Sequence, residues 1–278
     1  MLNGPPGLAC FDFDNTLIRG DLGESCMYYI LTQGMLGADL PEFWKAVHHP
    51  LIEGEVNTWR RLWTEYSTQE DISSYEQLVK GLIDAYEKIA ATDGLEAAYR
   101  WTKVLFCGMS EAELASIAKH VFIENQEPGT VLHLPGGTTI DNSIRIRKPL
   151  LQLVQSMIEK SWDVHIVTAS PECTIRDAVT KYGLKPESVR GMRLSVRDHI
   201  LMPEIIEPMT YDQGKVAAIR EFTSGEITFA AGDSFTDLSM LRAAKHTLLI
   251  DRGNAKLRAL AESENFWIQT AESLDSQN

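Results

Sequence analysis

Residues 8–16 read LACFDFDNT, and the fold turns on this stretch. Its apolar half, Leu8 to Phe13, is brief and ends abruptly in polar residues, the pattern of a buried strand. No second strand follows. From Asp21 to Thr130 the chain reads as helix after helix, in segments that open at Ser25, Leu40, Val56, Tyr75, Leu95 and Ser110. Each carries apolar residues three and four apart. Ser110 followed by Glu113 has the form of a capping box.

Strands return only later, and then they alternate with helices. DVHIVT (163–168), EITFAA (226–231) and HTLLI (246–250) read as strands. Helices are expected from Pro149, over Pro171 to Tyr182 with Gly183 closing it, over Tyr211 to Phe222, and over Thr236 to Ala244. Short strands alternating with helices predict an α/β fold: a Rossmann-like, mostly parallel sheet with helices on both faces. The lone first strand cannot make a core by itself. The chain therefore divides into a Rossmann-like core at 1–20 and 131–278, with an all-helical domain at 21–130 inserted in it. The closing AESLDSQN reads as a fraying tail.

The 278 residues are 44% hydrophobic, enough for one large core and a smaller satellite. With 39 acidic against 26 basic residues the net charge is -13, which disfavours nucleic acid and anionic membranes as partners. The short basic run Arg145, Arg147, Lys148 reads as a solvated face. Cys10, Cys26, Cys107 and Cys173 are scattered, without metal or redox spacing, as buried thiols in a reducing compartment are. Neither a secretory signal nor a membrane span is apparent, so the expected location is cytoplasmic. A homo-oligomer is compatible with the sequence.

Four clusters fall at strand ends or helix starts, where ligands gather in parallel sheets. Asp12 and Asp14 close the first strand; bringing two carboxylates together calls for a cation or a proton, though an acidic turn would look the same. Thr168, Ala169 and Ser170 end DVHIV and can hold an anion, or Ser170 can simply cap a helix. Lys215 begins a helix, where the dipole disfavours it unless an anion is near; a solvated lysine is the plain alternative. Gly232, Asp233, Ser234 and Asp237 form an acidic turn suited to a hard cation, or only a helix cap.

In this order, DFDNT, VTAS, Lys215 and GDSFTD resemble the four motifs of the haloacid dehalogenase superfamily of phosphohydrolases. Helices inserted directly after the first motif resemble the cap domain of its phosphoserine phosphatase-like branch. DNTLIRGDLGES, YRWTKVLFCGMSEAEL and LLIDRGN with FWIQ are similar to bacterial phosphorylcholine phosphatases. The resemblance implies that Asp12 is a nucleophile forming an aspartyl-phosphate and that Asp14 is the general acid and base. It further implies that Thr168, Lys215, Asn15 and Ala169 bind phosphate, and that Asp12, Asp14 (through its carbonyl), Asp233 and Asp237 surround Mg2+.

The substrate implied is a small phosphorylated metabolite. Asp21 and Glu24, just past the first motif, would favour a cationic head such as choline. Trp44, Trp59, Trp63, Trp101 and several tyrosines lie in the helical zone, either beside that head or in helix seams. Arg60 and Arg61 could instead meet the carboxylate of phosphoserine, or lie on the surface. A non-catalytic binding protein of the same fold is the rival from another class; a kinase lacks its GxxxxGK[ST] loop here.

Overall fold

The computed structural model describes residues 4–135, 137 and 139–276. In chain order the strands are β1 (Leu8–Phe11), β2 (Ile18–Arg19), β3 (Val131–His133), β4 (Thr139–Asp141), β5 (Arg145–Ile146), β6 (Asp163–Pro171), β7 (Val189–Arg197), β8 (Ile200–Ile206), β9 (Ile227–Gly232), β10 (Ala244–Asp251) and β11 (Trp267–Thr270). The helices are α1 (Leu22–Thr32), α2 (Pro41–Ala46), α3 (Val56–Gln69), α4 (Ile72–Asp93), α5 (Leu95–Thr102), α6 (Glu111–Glu124), α7 (Lys148–Glu159), α8 (Glu172–Ile175), α9 (Gln213–Arg220), α10 (Leu238–Arg242), α11 (Ala255–Ser263) and α12 (Ala271–Asp275).

Seven strands make the main sheet, in the order β11-β10-β9-β1-β6-β7-β8. The strand β1 lies at its centre, parallel to both β6 and β9. All four of its residues are buried, which is why the run is apolar throughout instead of alternating. All pairings are parallel except the last, where β7 and β8 form an antiparallel hairpin.

That hairpin is absent from the sequence expectation. Its turn residues, Asp198 and His199, both take positive φ, at 51° and 67°. Primed hairpin turns require this conformation, but their usual glycine is missing, so the signal is muted. The helix expected over Pro171 to Tyr182 is also corrected. Strand β6 continues to Pro171, which pairs with Met192, and the following segment holds only α8 and a 3-10 turn at Ala178–Tyr182.

Helices form in all six segments of the helical zone, but the one opening at Leu40 is α-helical only over Pro41–Ala46 and then breaks into a 3-10 turn at Pro50–Ile52, where the proline interrupts it. Glu113 N–H donates to Ser110 Oγ at 3.2 Å, and Ser110 N–H donates to Glu113 Oε2 at 2.7 Å, closing the capping box. The apolar packing is continuous from Phe11 and Phe13 at the sheet, through Leu22 and Ile30 on α1, to Trp59 and Leu82. Among the described residues no helix is long and apolar enough to cross a membrane.

Two expectations about the surface fail in part, at Arg147 and at the chain end, while Lys148 of the same basic run is exposed. Arg147 is 2% exposed, not solvated, and the chain end is helical over Ala271–Asp275 with Leu274 buried. The Arg147 Nη1 donates to the carbonyls of Thr16 and Ile18 at 3.1 Å each and also to that of Asn15. Its Nε meets Asp275 Oδ1 at 2.9 Å. A buried guanidinium needs such partners, and the short C-terminal helix supplies the counter-charge to the loop that follows β1. Residues 277–278 of the expected tail lie outside the described residues. Asp275→Ala is expected to destabilise the protein by about 3 kcal/mol, because it strands a buried charge. Urea unfolding measures this; an unchanged midpoint would mean that the carbonyls alone satisfy Arg147.

Candidate active site

The carboxyl ends of β1, β6 and β9 converge on one cavity of ≈ 170 Å³. Asp12 follows β1 directly, and its N–H still donates to Ala231 O at 2.9 Å, so the sheet fixes its backbone. Next to it, Lys215 near the start of α9 is completely buried, with Nζ 2.6 Å from Asp12 Oδ1 and 2.5 Å from Asp237 Oδ1. The anionic partner that a lysine at a helix start calls for is thus a pair of carboxylates.

Asp237 is held from its other side by the acidic turn. Its Oδ2 accepts the N–H groups of Asp233 at 3.0 Å and Ser234 at 3.1 Å. Gly232 is required here, since a Cβ would come within 2.5 Å of Asp237 Cβ. Asp233 turns back toward the first loop, with Oδ1 accepting the Thr16 hydroxyl at 3.1 Å and Oδ2 the Arg252 Nη1 at 2.9 Å.

Asp14 faces elsewhere. Its Oδ1 accepts the Leu22 N–H at 2.7 Å, and its Oδ2 accepts the Ser170 hydroxyl at 2.7 Å and that of Thr168 at 3.3 Å. Ser170 therefore serves Asp14 and does not cap α8, at whose start no side-chain cap is made. Gly23 makes room for this contact, because a Cβ there would lie 2.2 Å from Ser170 Oγ. Asn15 takes the left-handed conformation, φ 60°, which bends the chain just after Asp14. Asn15, Thr168 and Ala169 all line the cavity.

Burial pushes the Asp12 carboxyl well above the usual range, and the Asp237 charge adds to this, against the pull of Lys215. Burial raises Asp14 too, partly offset by its hydrogen bonds from Ser170 and Leu22. Asp233 is pushed up to about 6 by burial and by Asp237, with Arg252 opposing. Burial alone would lower the Lys215 ammonium, but Asp12 and Asp237 more than reverse that, so it stays charged.

One oxygen each from Asp12, Asp233 and Asp237 fall within 4.8 Å of one another. Three buried carboxylates with hard oxygen donors, facing two cationic side chains, fit a divalent ion of the magnesium type. The Asp14 side chain is not one of this group; it points to Ser170, Thr168 and the Leu22 N–H.

Asp21 and Glu24 both line the cavity. Asp21 caps α1, its Oδ1 accepting the Glu24 N–H at 2.8 Å. Glu24 Oε1 accepts the Tyr86 hydroxyl at 3.1 Å. Burial raises both carboxyls, for Asp21 reinforced by Asp14 and Glu24. Tyr86, Tyr99, Met27 and Phe106 complete this wall. Of the two placements open to the tryptophans of the helical zone, the helix seams hold, as the i,i+4 spacing of Trp59 and Trp63 suggests: Trp44, Trp59, Trp63 and Trp101 are each at most 8% exposed, and none lines the cavity. Arg60 and Arg61 do not line it either; Arg60 lies over the Trp44 ring and Arg61 pairs with Glu65. Sequence reasoning missed Arg252, and among the tyrosines of the helical zone it did not single out Tyr86 and Tyr99. The first sits in the quoted LLIDRGN, and the two tyrosines occupy amphipathic helices whose facing direction no pattern reveals.

A family model described as haloacid dehalogenase-like hydrolase matches residues 51–242, more than half of the chain. No curated protein matches. Among solved structures, a conserved functionally unknown protein from Anaerococcus prevotii is similar with a TM-score of 0.71 at 20% identity, over 95% of this chain and 85% of its own. A HAD family hydrolase from Salmonella enterica serovar Typhi has a TM-score of 0.53 at 17% identity, over 92% of this chain and 66% of its own. A phosphoserine phosphohydrolase-like protein from Francisella tularensis has a TM-score of 0.52 at 12% identity, over 98% of both chains. At these identities the likeness concerns the fold.

Proposed function

Because the chain belongs to the haloacid dehalogenase-like hydrolases, we propose that it is a Mg2+-dependent phosphatase of small metabolites, working through an aspartyl-phosphate on Asp12. The observation that carries this reading is the division of labour between two acids two residues apart. Asp12 sits against the Lys215 ammonium in the acidic cluster, whereas Asp14 is held apart by Ser170, Thr168 and the Leu22 N–H.

The chemistry follows from that division. An Asp12 carboxylate oxygen attacks phosphorus in line, and the bond from phosphorus to the leaving alkoxide breaks. Asp14, whose carboxyl is raised by burial, gives its proton to the leaving oxygen. The same carboxylate then takes a proton from water, which attacks phosphorus and releases Asp12 with inorganic phosphate. Lys215 and the Thr168 hydroxyl hold phosphoryl oxygens, with the backbone at Asn15 and Ala169 beside them. Bound among Asp12, Asp233, Asp237 and the Asp14 carbonyl, a magnesium ion would neutralise phosphoryl charge. The four cysteines are buried and unpaired, which fits the reducing cytoplasm as its location.

For the leaving group, the wall formed by Asp21, Glu24, Tyr86 and Tyr99 favours a cationic head. Arg252 is the one cationic side chain among the described residues lining the cavity, and it is engaged with Asp233. With two acids and two tyrosines against this single rim arginine, phosphocholine or phosphoethanolamine ranks ahead of phosphoserine. In a panel of phosphocholine, phosphoethanolamine, phosphoserine and glycerol phosphate, kcat/KM should favour the first two over phosphoserine by about tenfold or more. Asp21→Asn keeps a good helix cap, so it isolates the charge; together with Glu24→Gln it should hurt cationic esters more than glycerol phosphate. Equal losses across the panel would remove the selectivity role, and a preference for phosphoserine would reverse the ranking.

A further inference from the structure

Arg252 is built into its position, yet its guanidinium is free to leave. It follows β10 in a turn pinned by Asp251, whose Oδ1 accepts the Gly253 N–H at 2.9 Å and whose Oδ2 pairs with Arg258 at 3.3 Å. Gly253 takes φ 90°, and Asn254 caps α11 immediately after. The turn thus aims Arg252 over the cavity. Its contact with Asp233 is its one hydrogen bond among the described residues, and its side chain is 48% exposed while that of Asp233 is 5% exposed.

The two cations of the site differ in kind. Lys215 is buried and bridges two carboxylates, so it cannot leave without stranding both. Arg252 stands at the rim and also lines an adjoining polar cleft with Asn15, Asp21 and Glu24. Both oxygens of Asp233 already accept a donor, one from the neutral Thr16 hydroxyl and one from this permanent charge. A hydroxyl can rotate when a cation takes its acceptor; a guanidinium cannot shed its charge. A divalent ion on Asp233 would face that guanidinium at short range, with the carboxylate between them almost fully buried and the repulsion only partly screened. Release of the half-exposed arginine to solvent relieves this without repacking.

We propose that Arg252 competes with the divalent ion for Asp233 and thereby sets the affinity of the cation site. This rests on the reading that the three aspartates hold the ion. The test is calorimetric titration of the full chain with magnesium chloride and with manganese chloride, without any phosphoester. Arg252→Gln should bind either ion about tenfold more tightly, the effect of removing one charge-assisted hydrogen bond. Arg252→Lys, which keeps the charge, should stay near the parent affinity, and Asp233→Asn should lose binding. Equal or weaker binding by Arg252→Gln would overturn the competition. A parent that binds neither ion would overturn the assignment of the ion to the three aspartates, a separate failure.

Discussion

Asp12→Asn is expected to lower kcat/KM on any phosphomonoester by about ten-thousand-fold or more, as removal of a nucleophile does elsewhere. The amide has nearly the shape of the acid, so the sheet contact of Asp12 N–H with Ala231 O is kept. What it loses is a charged oxygen that can attack phosphorus and ligate an ion. Steady-state kinetics on purified protein, with circular dichroism to establish the fold, decides the matter. Activity within tenfold of the parent would mean that another group carries the phosphoryl, or that water attacks directly.

Lys215→Met is the second substitution of large expected effect, and it strikes stability as well as rate. The ammonium is fully buried between Asp12 and Asp237. Methionine fills the space but leaves two buried carboxylates facing each other, a loss of about 3–5 kcal/mol for a broken buried pair. Turnover should fall by about a thousandfold, because the phosphoryl charge also loses a fixed partner. The pH dependence has a definite sign. Without Lys215 nothing opposes the burial and the Asp237 charge that raise Asp12. An acid whose folded-state pKa lies above its unfolded value loses stability as pH rises from that unfolded value through the folded one. The variant should therefore come closest to the parent in acid and fall furthest behind it at neutral pH, and added Mg2+ should recover part of the deficit. A variant that unfolds like the parent at every pH would show that the lysine does not balance these acids.

Much of this site could be read in advance because parallel sheets deliver residues to one edge. Asp12, Thr168 and Asp233 each stand at the end of a short apolar run, and the alternation of strands and helices brings those ends together. Lys215 was legible through its misfit with a helix start. Other parts depend on neighbours far away in sequence. Ser170 precedes a proline and resembles a cap, yet its hydroxyl is drawn to Asp14, a partner 156 residues earlier. Arg147 sits in a basic run that reads as surface, and only the carbonyls of the loop after β1 and a carboxylate from α12 explain its burial. Trp59 and Trp63, one turn apart on α3, fill the helical core, whereas Tyr86 and Tyr99 reach the cavity. Periodicity identifies an apolar face, not what that face meets.

On this mechanism the phosphoryl group rests on Asp12 before water removes it. Rapid acid quench of Asp14→Asn with excess p-nitrophenyl phosphate, whose leaving group departs without a proton, and Mg2+, followed by peptide mass spectrometry, tests it directly, because with this ester the variant lacks only the base that would activate water. One phosphoryl group is expected on the peptide carrying Asp12, absent when Mg2+ is withheld and absent in the double variant with Asp12→Asn. A phosphoryl group on any other residue would contradict it. So would an unmodified protein in a variant that still turns over.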